Sequence, residues 1–500
     1  MKKNNTQLSK TDFIQYCNCP KSLWLLKHKP EQYPKKEFSL FLEKLVKQGY
    51  EVEKYTQKLF PGGVSLFEYG PLKATEKALK DGKRFYFQAA FKSVNGAFAR
   101  IDILERLENN KWHIYEVKSS SAIKKDQKHN HLKDAAFQKY VLEESGLKVA
   151  KVSIIHLNKE YIRDGEINPY SLLVKDDVTE QIDKIYEQVS LQILEALTFL
   201  KREKIDESMC SCRENTKSNH CDSFNYFNPD IPDWSIYEIG NIRKNKIQLL
   251  LDEKILKITD VGRDIEFNTR QEMQIESAQR NEAIFNKRDI KKKLSQLEFP
   301  LYFIDYETFS NAIPKIDTTK PFQQIPFQVS IHTLSEDGKL THFEYLGDNI
   351  ELPYKMLKEM EKETGADKKG SYISWHKSFE IGRNREMAKM FPEFANYLNT
   401  MNEKMFDLED IFKQDYFDYK FHGSTSIKYV LPVMLPKLSY QDLDIQNGTM
   451  ASDTWERLAL GDKDITEEDR KRTRKNLLEY CELDTMAMVE IYNKLLEVIK

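Results

Sequence analysis

Apolar residues recur at helical spacing from Leu40 to Phe60, where Pro61-Gly62-Gly63 stops them. Residues 8–60 as a whole read as helices, the first capped by Thr11 or Asp12. The period then shortens to two. Arg84–Phe91, Gly96–Leu107 and Trp112–Val117 alternate as strands, separated by turn residues such as Asn109-Asn110. A helix over Leu132–Ser145, ended by Gly146, and a strand over Val149–Leu157 complete an expected α/β domain. Residues 229–297 read as polar helices anchored by Leu249-Leu250-Leu251 and Ile255-Leu256-Lys257-Ile258. From Pro300 strands return at Leu301–Tyr306, Phe327–Thr333, Thr341–Leu346 and Tyr372–Trp375, followed by helices. The expected organisation is an α/β domain over 1–228, a helical connector over 229–297 and a second α/β domain over 298–500.

Composition narrows the partners. Lysine and arginine total 77 against 79 acids, a net charge of −2, so the whole molecule offers no positive field. A nucleic-acid partner would have to meet local patches: Lys124-Lys125 with Lys128, Lys287 to Lys293, or Arg470 to Lys475. Each of these, taken alone, reads as a solvated helix face. No apolar run reaches membrane-spanning length, and Met-Lys-Lys-Asn-Asn at the start lacks the apolar core of a signal peptide. A cytoplasmic chain with no membrane partner is expected. Six cysteines in a chain of this size do not form a disulfide framework in a reducing compartment.

Candidate chemistry concentrates in a few short segments. In Leu301-Tyr-Phe-Ile-Asp305-Tyr-Glu307 two acids interrupt a buried strand, and strand alternation puts them on one face. Two such carboxylates repel each other and cost desolvation unless a cation neutralises them, and Mg²⁺ or Mn²⁺ suits carboxylate oxygens. Tyr480-Cys-Glu-Leu-Asp484 adds a Tyr and an Asp one helical turn apart. Earlier, Asp102 lies in an apolar strand, and Glu116 and Lys118 share a face of the next. An Asp and a Glu on adjacent strands can hold a divalent ion while the ammonium orients water or stabilises a phosphate; a structural ion pair is the competing reading. Phe421-His-Gly423-Ser424-Thr-Ser426-Ile-Lys428 places Gly and hydroxyl residues ahead of a helix, where backbone N–H groups can hold a phosphate with Lys428 as a point charge. Metal-dependent phosphodiester chemistry is the expectation.

The spacing Asp102, Glu116-x-Lys118, then a helix with Gln138 resembles the RecB-like branch of the PD-(D/E)XK nucleases over about Leu8 to Phe227. That resemblance implies a restriction-endonuclease-like fold, metal held by Glu53, Asp102 and Glu116, and catalytic roles for Lys118 and Gln138. Tyr140 departs from the usual spacing of the family's Gln-and-Tyr motif. Such nucleases often staple the domain ends with a [4Fe–4S] cluster, here implied at Cys19, Cys210, Cys212 and Cys221. The C-x-C spacing departs from the usual pattern. Cys17 is a substitute ligand, and Zn²⁺ with His220, or no metal at all, stays open. Asp305-x-Glu307 and Tyr480-x-x-x-Asp484 resemble DEDDy exonucleases on an RNase H-like fold. Glu380 is then the remaining metal ligand in place of an Asp, Asp407 is in reserve, and Tyr480 is catalytic. The run from Tyr302 through Ser424, Ser426 and Lys428 to Asp484 resembles the bacterial domain-of-unknown-function family 2779, whose members carry both halves.

The resemblances imply a multidomain α/β chain with two Mg²⁺- or Mn²⁺-dependent heads. Its expected substrate is DNA, single-stranded or at ends, with a helicase or a repair or defence factor as partner. The connector is expected to be helix-hairpin-helix-like, its Gly240-Asn and Val261-Gly262 turns facing the backbone. An RNA-processing exonuclease, or a binding scaffold with one degenerate head, is the alternative; no feature of the sequence reads the 2′-hydroxyl.

Overall fold

The computed structural model describes residues 7–35, 40–66, 71–126, 129–365, 369–461 and 466–500. Lys128, part of one expected basic cluster, lies outside them. The chain is a mixed α/β protein of two compact units. The first comprises residues 1–230 together with 311–323, and the second comprises 231–310 with 324–500. Residues 231–297, expected as a connector, therefore lie within the second unit, and a 13-residue excursion from it lies within the first.

In the first unit the strands are β1 (Leu8–Ser9), β2 (Val64–Ser65), β3 (Phe85–Lys92), β4 (Ala97–Arg106), β5 (Lys111–Val117), β6 (Lys148–Leu157) and β7 (Leu173–Asp177). The helices are α1 (Lys10–Asn18), α2 (Pro20–His28), α3 (Leu40–Gln57), α4 (Pro71–Lys80), α5 (His131–Glu144), α6 (Pro169–Leu172), α7 (Thr179–Leu200) and α8 (Phe224–Phe227). The sheet order is β2-β3-β4-β5-β6-β7, with β1 added parallel to β4. Strands β3 to β5 form an antiparallel meander, and α5 then carries the chain over to β6, parallel to β5. Helix α5 can bury its Ala135-Ala136-Phe137 face because it packs on β4 and β6 on one side and α7 on the other. Helix α1 starts one residue before the expected caps. Ser9, which ends β1, is the N-cap, and Asp12 is its capping-box partner at the third helical position.

In the second unit the principal sheet joins β9 (Leu301–Phe309), β10 (Ile325–Leu334), β11 (Leu340–Leu346), β12 (Ser371–Ser374) and β13 (Met405–Asp407), while β8 (Ile284–Phe285) pairs with β14 (Tyr416–Phe417). The helices are α9 (Lys244–Asp252), α10 (Thr269–Arg280), α11 (Lys287–Leu294), α12 (Tyr354–Thr364), α13 (Ser378–Met390), α14 (Ala395–Glu403), α15 (Glu409–Gln414), α16 (Ile427–Met434), α17 (Gly448–Ala459) and α18 (Glu467–Val498). The order is β11-β10-β9-β12-β13, an antiparallel meander extended by two parallel strands. Strand β9 is central, which is why it reads as an almost unbroken apolar run. Helices α17 and α18 pack against it and so approach its two acids. Among the described residues, no helix is long and apolar enough to cross a membrane.

Candidate metal centres

The acids of β9 meet the C-terminal helix. Asp305, Glu307 and Asp484 each offer a carboxylate oxygen, and these oxygens lie within 4.8 Å of one another. Burial first, then the charges of Asp484, Glu307 and Glu380, push the Asp305 carboxyl well above the usual range. Burial and Asp484 push Glu307 up to about 8, against the pull of Lys428. Asp484 rises to about 6, because burial outweighs hydrogen bonding from Tyr440 and Tyr480 and the charge of Lys428. Acids this close share protons that a cation can replace: Glu307, at about 8, keeps its proton at neutral pH in the absence of metal.

Glu380, on the first turn of α13, is 2% exposed and stands outside that trio, although its charge adds to those acting on Asp305. Burial pushes its carboxyl up to about 8, and its Oε2 has no hydrogen-bond partner. An orphaned buried carboxylate oxygen beside a trio of acids fits a further cation ligand. Asp407 does not: it accepts the backbone N–H groups of His376, Lys377 and Glu409 at 3.0, 3.2 and 3.1 Å, which makes it a loop anchor.

Three further groups stand around the trio. Tyr440 donates its hydroxyl to Asp484 Oδ1 at 2.6 Å, though nothing in its local pattern marks it. The Lys428 ammonium lies 5.7 Å from both the Tyr440 and Tyr480 ring centres and faces the acids, with Nζ donating to the Gln446 carbonyl at 2.9 Å. The loop before it closes on itself. The Ser424 and Ser426 amides donate to Phe421 O and Ser424 Oγ at 2.9 and 3.2 Å. Gly423, at φ +71°, packs against Gly240, where an added Cβ would stand 2.7 Å from the Gly423 carbonyl oxygen. Gly448, at the start of α17, is the third group. A Cβ there would lie 3.0 Å from Glu307 Oε2, so any larger residue would press on the carboxylate by a few tenths of an ångström.

In the first unit, Glu53, Asp102, Glu116, Lys118 and Gln138 form one polar network, but its acids do not gather as tightly as the trio. Gln88 intervenes, donating Nε2 to Glu53 Oε1 at 2.6 Å and to Asp102 Oδ1 at 3.2 Å. Its φ of +59° breaks the β3 ladder between Phe87 and Ala89 and turns the amide inward. A non-glycine residue in that conformation is strained, and such strain clusters at functional sites. Glu116, 1% exposed, accepts from the ammonium groups of Lys10 at 2.5 Å and Lys118 at 2.8 Å, and from the Gln138 amide. Burial opposes its ionisation, yet the two lysines outweigh burial and hold its carboxyl below the usual range. Asp102, which also accepts from the Val117 amide at 2.8 Å, is pushed up to about 8 by burial and by Glu116. Lys118 is further bound to Asp134. Tyr140 is turned elsewhere, its hydroxyl oxygen accepting from the Asn95 side-chain amide at 2.6 Å.

Four cysteines converge in the same unit: Cys19, at the start of α2, with Cys210, Cys212 and Cys221 beyond α7, every Sγ within 4.8 Å of the others. The set could hold a metal ion. Its members are free thiols, and the Cys210 and Cys221 sulfurs, 3.9 Å apart, are too distant for a disulfide. Cys17 and His220 stand outside it. The Cys17 thiol faces Gln192, and the His220 ring stacks on Phe224 with a nitrogen 3.1 Å from the Asn215 carbonyl oxygen.

Among the described residues, fold and sites thus define a two-unit α/β chain carrying a carboxylate centre, a lysine-bound acid network and a thiol tetrad. Residues 302–426 match the family described as Domain of unknown function (DUF2779). The chain is 31% identical over 228 residues to an uncharacterized protein of Mycoplasma pneumoniae, covering 42% of this chain and 34% of that protein. It is 27% identical over 238 residues to one from Mycoplasma genitalium, covering 44% and 35%. A protein of Ureaplasma parvum is 28% identical over 220 residues, covering 39% and 31%. The chain spans about a third of the length of these relatives.

Proposed function

We propose that the chain is a metal-dependent nuclease with two heads: a PD-(D/E)XK-like one in the first unit and an RNase H-like, DEDDy-type 3′→5′ exonuclease in the second, acting on DNA. The convergence of Asp305, Glu307 and Asp484, with Tyr480 one turn before Asp484, carries the reading. The sheet order β11-β10-β9-β12-β13 supports the RNase H-like assignment, and the sequence of α3, meander, α5 and β6 supports the other.

In the second unit Asp305, Glu307 and Asp484 would hold Mg²⁺ or Mn²⁺, with Glu380 adjoining. When bound, the metal supplies polarisation of the phosphate and activation of water. Tyr480 is buried and its hydroxyl is pushed well up by burial and by Asp484, so it keeps its proton and can donate while orienting water. Tyr440 fixes the Asp484 carboxylate. Lys428 balances charge in the metal-free site and can meet a phosphate when the acids are otherwise neutralised. In the first unit Glu53, Asp102 and Glu116 are the metal ligands of this reading, Gln138 orients Glu116, and Lys118 offers an ammonium to the reacting phosphate.

The test is a panel of labelled single- and double-stranded DNA and RNA with Mg²⁺ or Mn²⁺, run on wild type, Asp102→Ala, Lys118→Ala and Asp305→Ala. Degradation of nothing under any metal ends the enzyme reading. Activity that survives Lys118→Ala and is lost in Asp305→Ala leaves one working head. Preferential RNA cleavage replaces the substrate.

A further inference from the structure

The span of the thiol tetrad decides how it can bind metal. A single ion with metal–sulfur bonds of about 2.3 Å in a tetrahedron sets its sulfurs ~3.8 Å apart. A four-iron cluster gives each thiolate its own iron at a different corner, which spreads the four Sγ atoms to roughly 6 Å. Here no Sγ pair exceeds 4.8 Å, and Cys210 and Cys221 stand at 3.9 Å. The four-iron cluster implied by the family resemblance does not fit this spacing.

We propose that Cys19, Cys210, Cys212 and Cys221 bind one Zn²⁺ as a closed tetrathiolate site that clips the N-terminal helices to the segment beyond α7. The ligand set is all sulfur, because His220 is committed to Phe224 and the Asn215 carbonyl. The surroundings suit a thiolate. The buried Asn228 donates its amide to Cys210 Sγ at 3.3 Å, the kind of outer hydrogen bond that tunes a metal-bound sulfur. The same loop is held from α2, where the Lys21 ammonium donates to the Met209 carbonyl at 3.0 Å. The clip closes a loop of about 190 residues, where tying chain ends together removes most entropy from the unfolded state. Four ligands leave no open position, so the site is structural and shares no residue with the two acid centres.

The experiment is elemental analysis with labile-sulfide assay on the full-length chain, purified both aerobically and anaerobically. One zinc per chain, no labile sulfide and no visible absorption are expected in both preparations. Iron with stoichiometric sulfide in the anaerobic preparation overturns the proposal, and so does protein that holds no metal and takes up no added zinc. Exchange of the ion for Co²⁺ in wild type gives the ligand-field spectrum of a tetrahedral thiolate site, so the claim survives a variant that fails to fold; an octahedral spectrum overturns it. Cys212→Ser should lose the zinc, or fold only without it, and Cys17→Ser should keep one equivalent. Loss of zinc from Cys17→Ser with retention in Cys212→Ser refutes the ligand assignment.

Discussion

Raising the pH of metal-free protein should loosen β9, and divalent metal should tighten it again. Burial, with Asp484 adding to it, holds the Glu307 carboxyl up to about 8, whereas an unfolded Glu titrates near about 4.3. Between those values the folded chain keeps a proton that the unfolded chain has released. The stabilisation by that proton is full below about pH 4.3 and is lost as pH rises through about 8. Across about pH 5 to pH 8 this one group removes about 3 kcal/mol. Metal at a hundredfold excess over its dissociation constant adds back about 2.7 kcal/mol at the alkaline end. A two-unit chain does not unfold in one step, so the readout is hydrogen exchange of β9 peptides in wild type and Glu307→Gln. Wild type should lose protection with pH and regain it with Mn²⁺, and the Gln variant should do neither to the same extent. Identical pH slopes in the two proteins, or no metal-induced protection at pH 8, would refute the reasoning.

Tyr440→Phe removes the hydroxyl that orients Asp484 and should weaken Mn²⁺ binding about tenfold, measured by calorimetric titration, with folding preserved. Gly448→Ala brings a Cβ to 3.0 Å from Glu307 Oε2 and should cost about 1–3 kcal/mol of local stability, read by exchange at α17, and on the proposed reading lower the exonuclease rate. Lys118→Met in an Asp305→Asn background should lower the remaining cleavage about a hundredfold or more in a gel assay, and a residual rate close to the parent would remove Lys118 from catalysis.

What the sequence revealed follows from how local each signal is. Asp305 and Glu307 were legible because strand alternation alone places them together, and Tyr480 and Asp484 because a helical turn does. Glu53, Asp102, Glu116, Lys118 and Gln138 came with a spacing pattern. Tyr440 and Lys10 had none: each reaches its carboxylate from 44 and 106 residues away, so only the fold identifies them. Gln88 left a faint mark, a polar residue inside Phe85-Tyr-Phe-Gln88-Ala-Ala-Phe, but its inward turn depends on a positive φ that no composition reveals. The Gly423-Ser-Thr-Ser loop was legible as a turn before α16. Its amides are internally bonded and Gly423 rests on Gly240, a partner 183 residues away in sequence. The excursion 311–323 escaped notice because domain membership is a property of contacts, not of periodicity.

The two acid centres answer one electrostatic problem differently. Around β9 the carboxylates face mostly one another, and in the absence of metal the cheapest remedy is protonation, which is what the raised Asp305 and Glu307 record. Around β5 the remedy is internal only for Glu116, which Lys10 and Lys118 neutralise; Asp102, though it accepts from Gln88, is still held up to about 8. A cation entering the first centre displaces protons. One entering the second must compete with a lysine ammonium 2.5 Å from its anchor carboxylate, and Lys10 must give way. Metal binding should therefore strengthen as pH rises through about 6 to 8 at the β9 centre, where Glu307 and Asp484 release protons, and also at the β5 centre, where Glu116 is already ionised but Asp102 must release one. The two centres differ instead in what a cation must displace: protons around β9, and a lysine ammonium as well around β5.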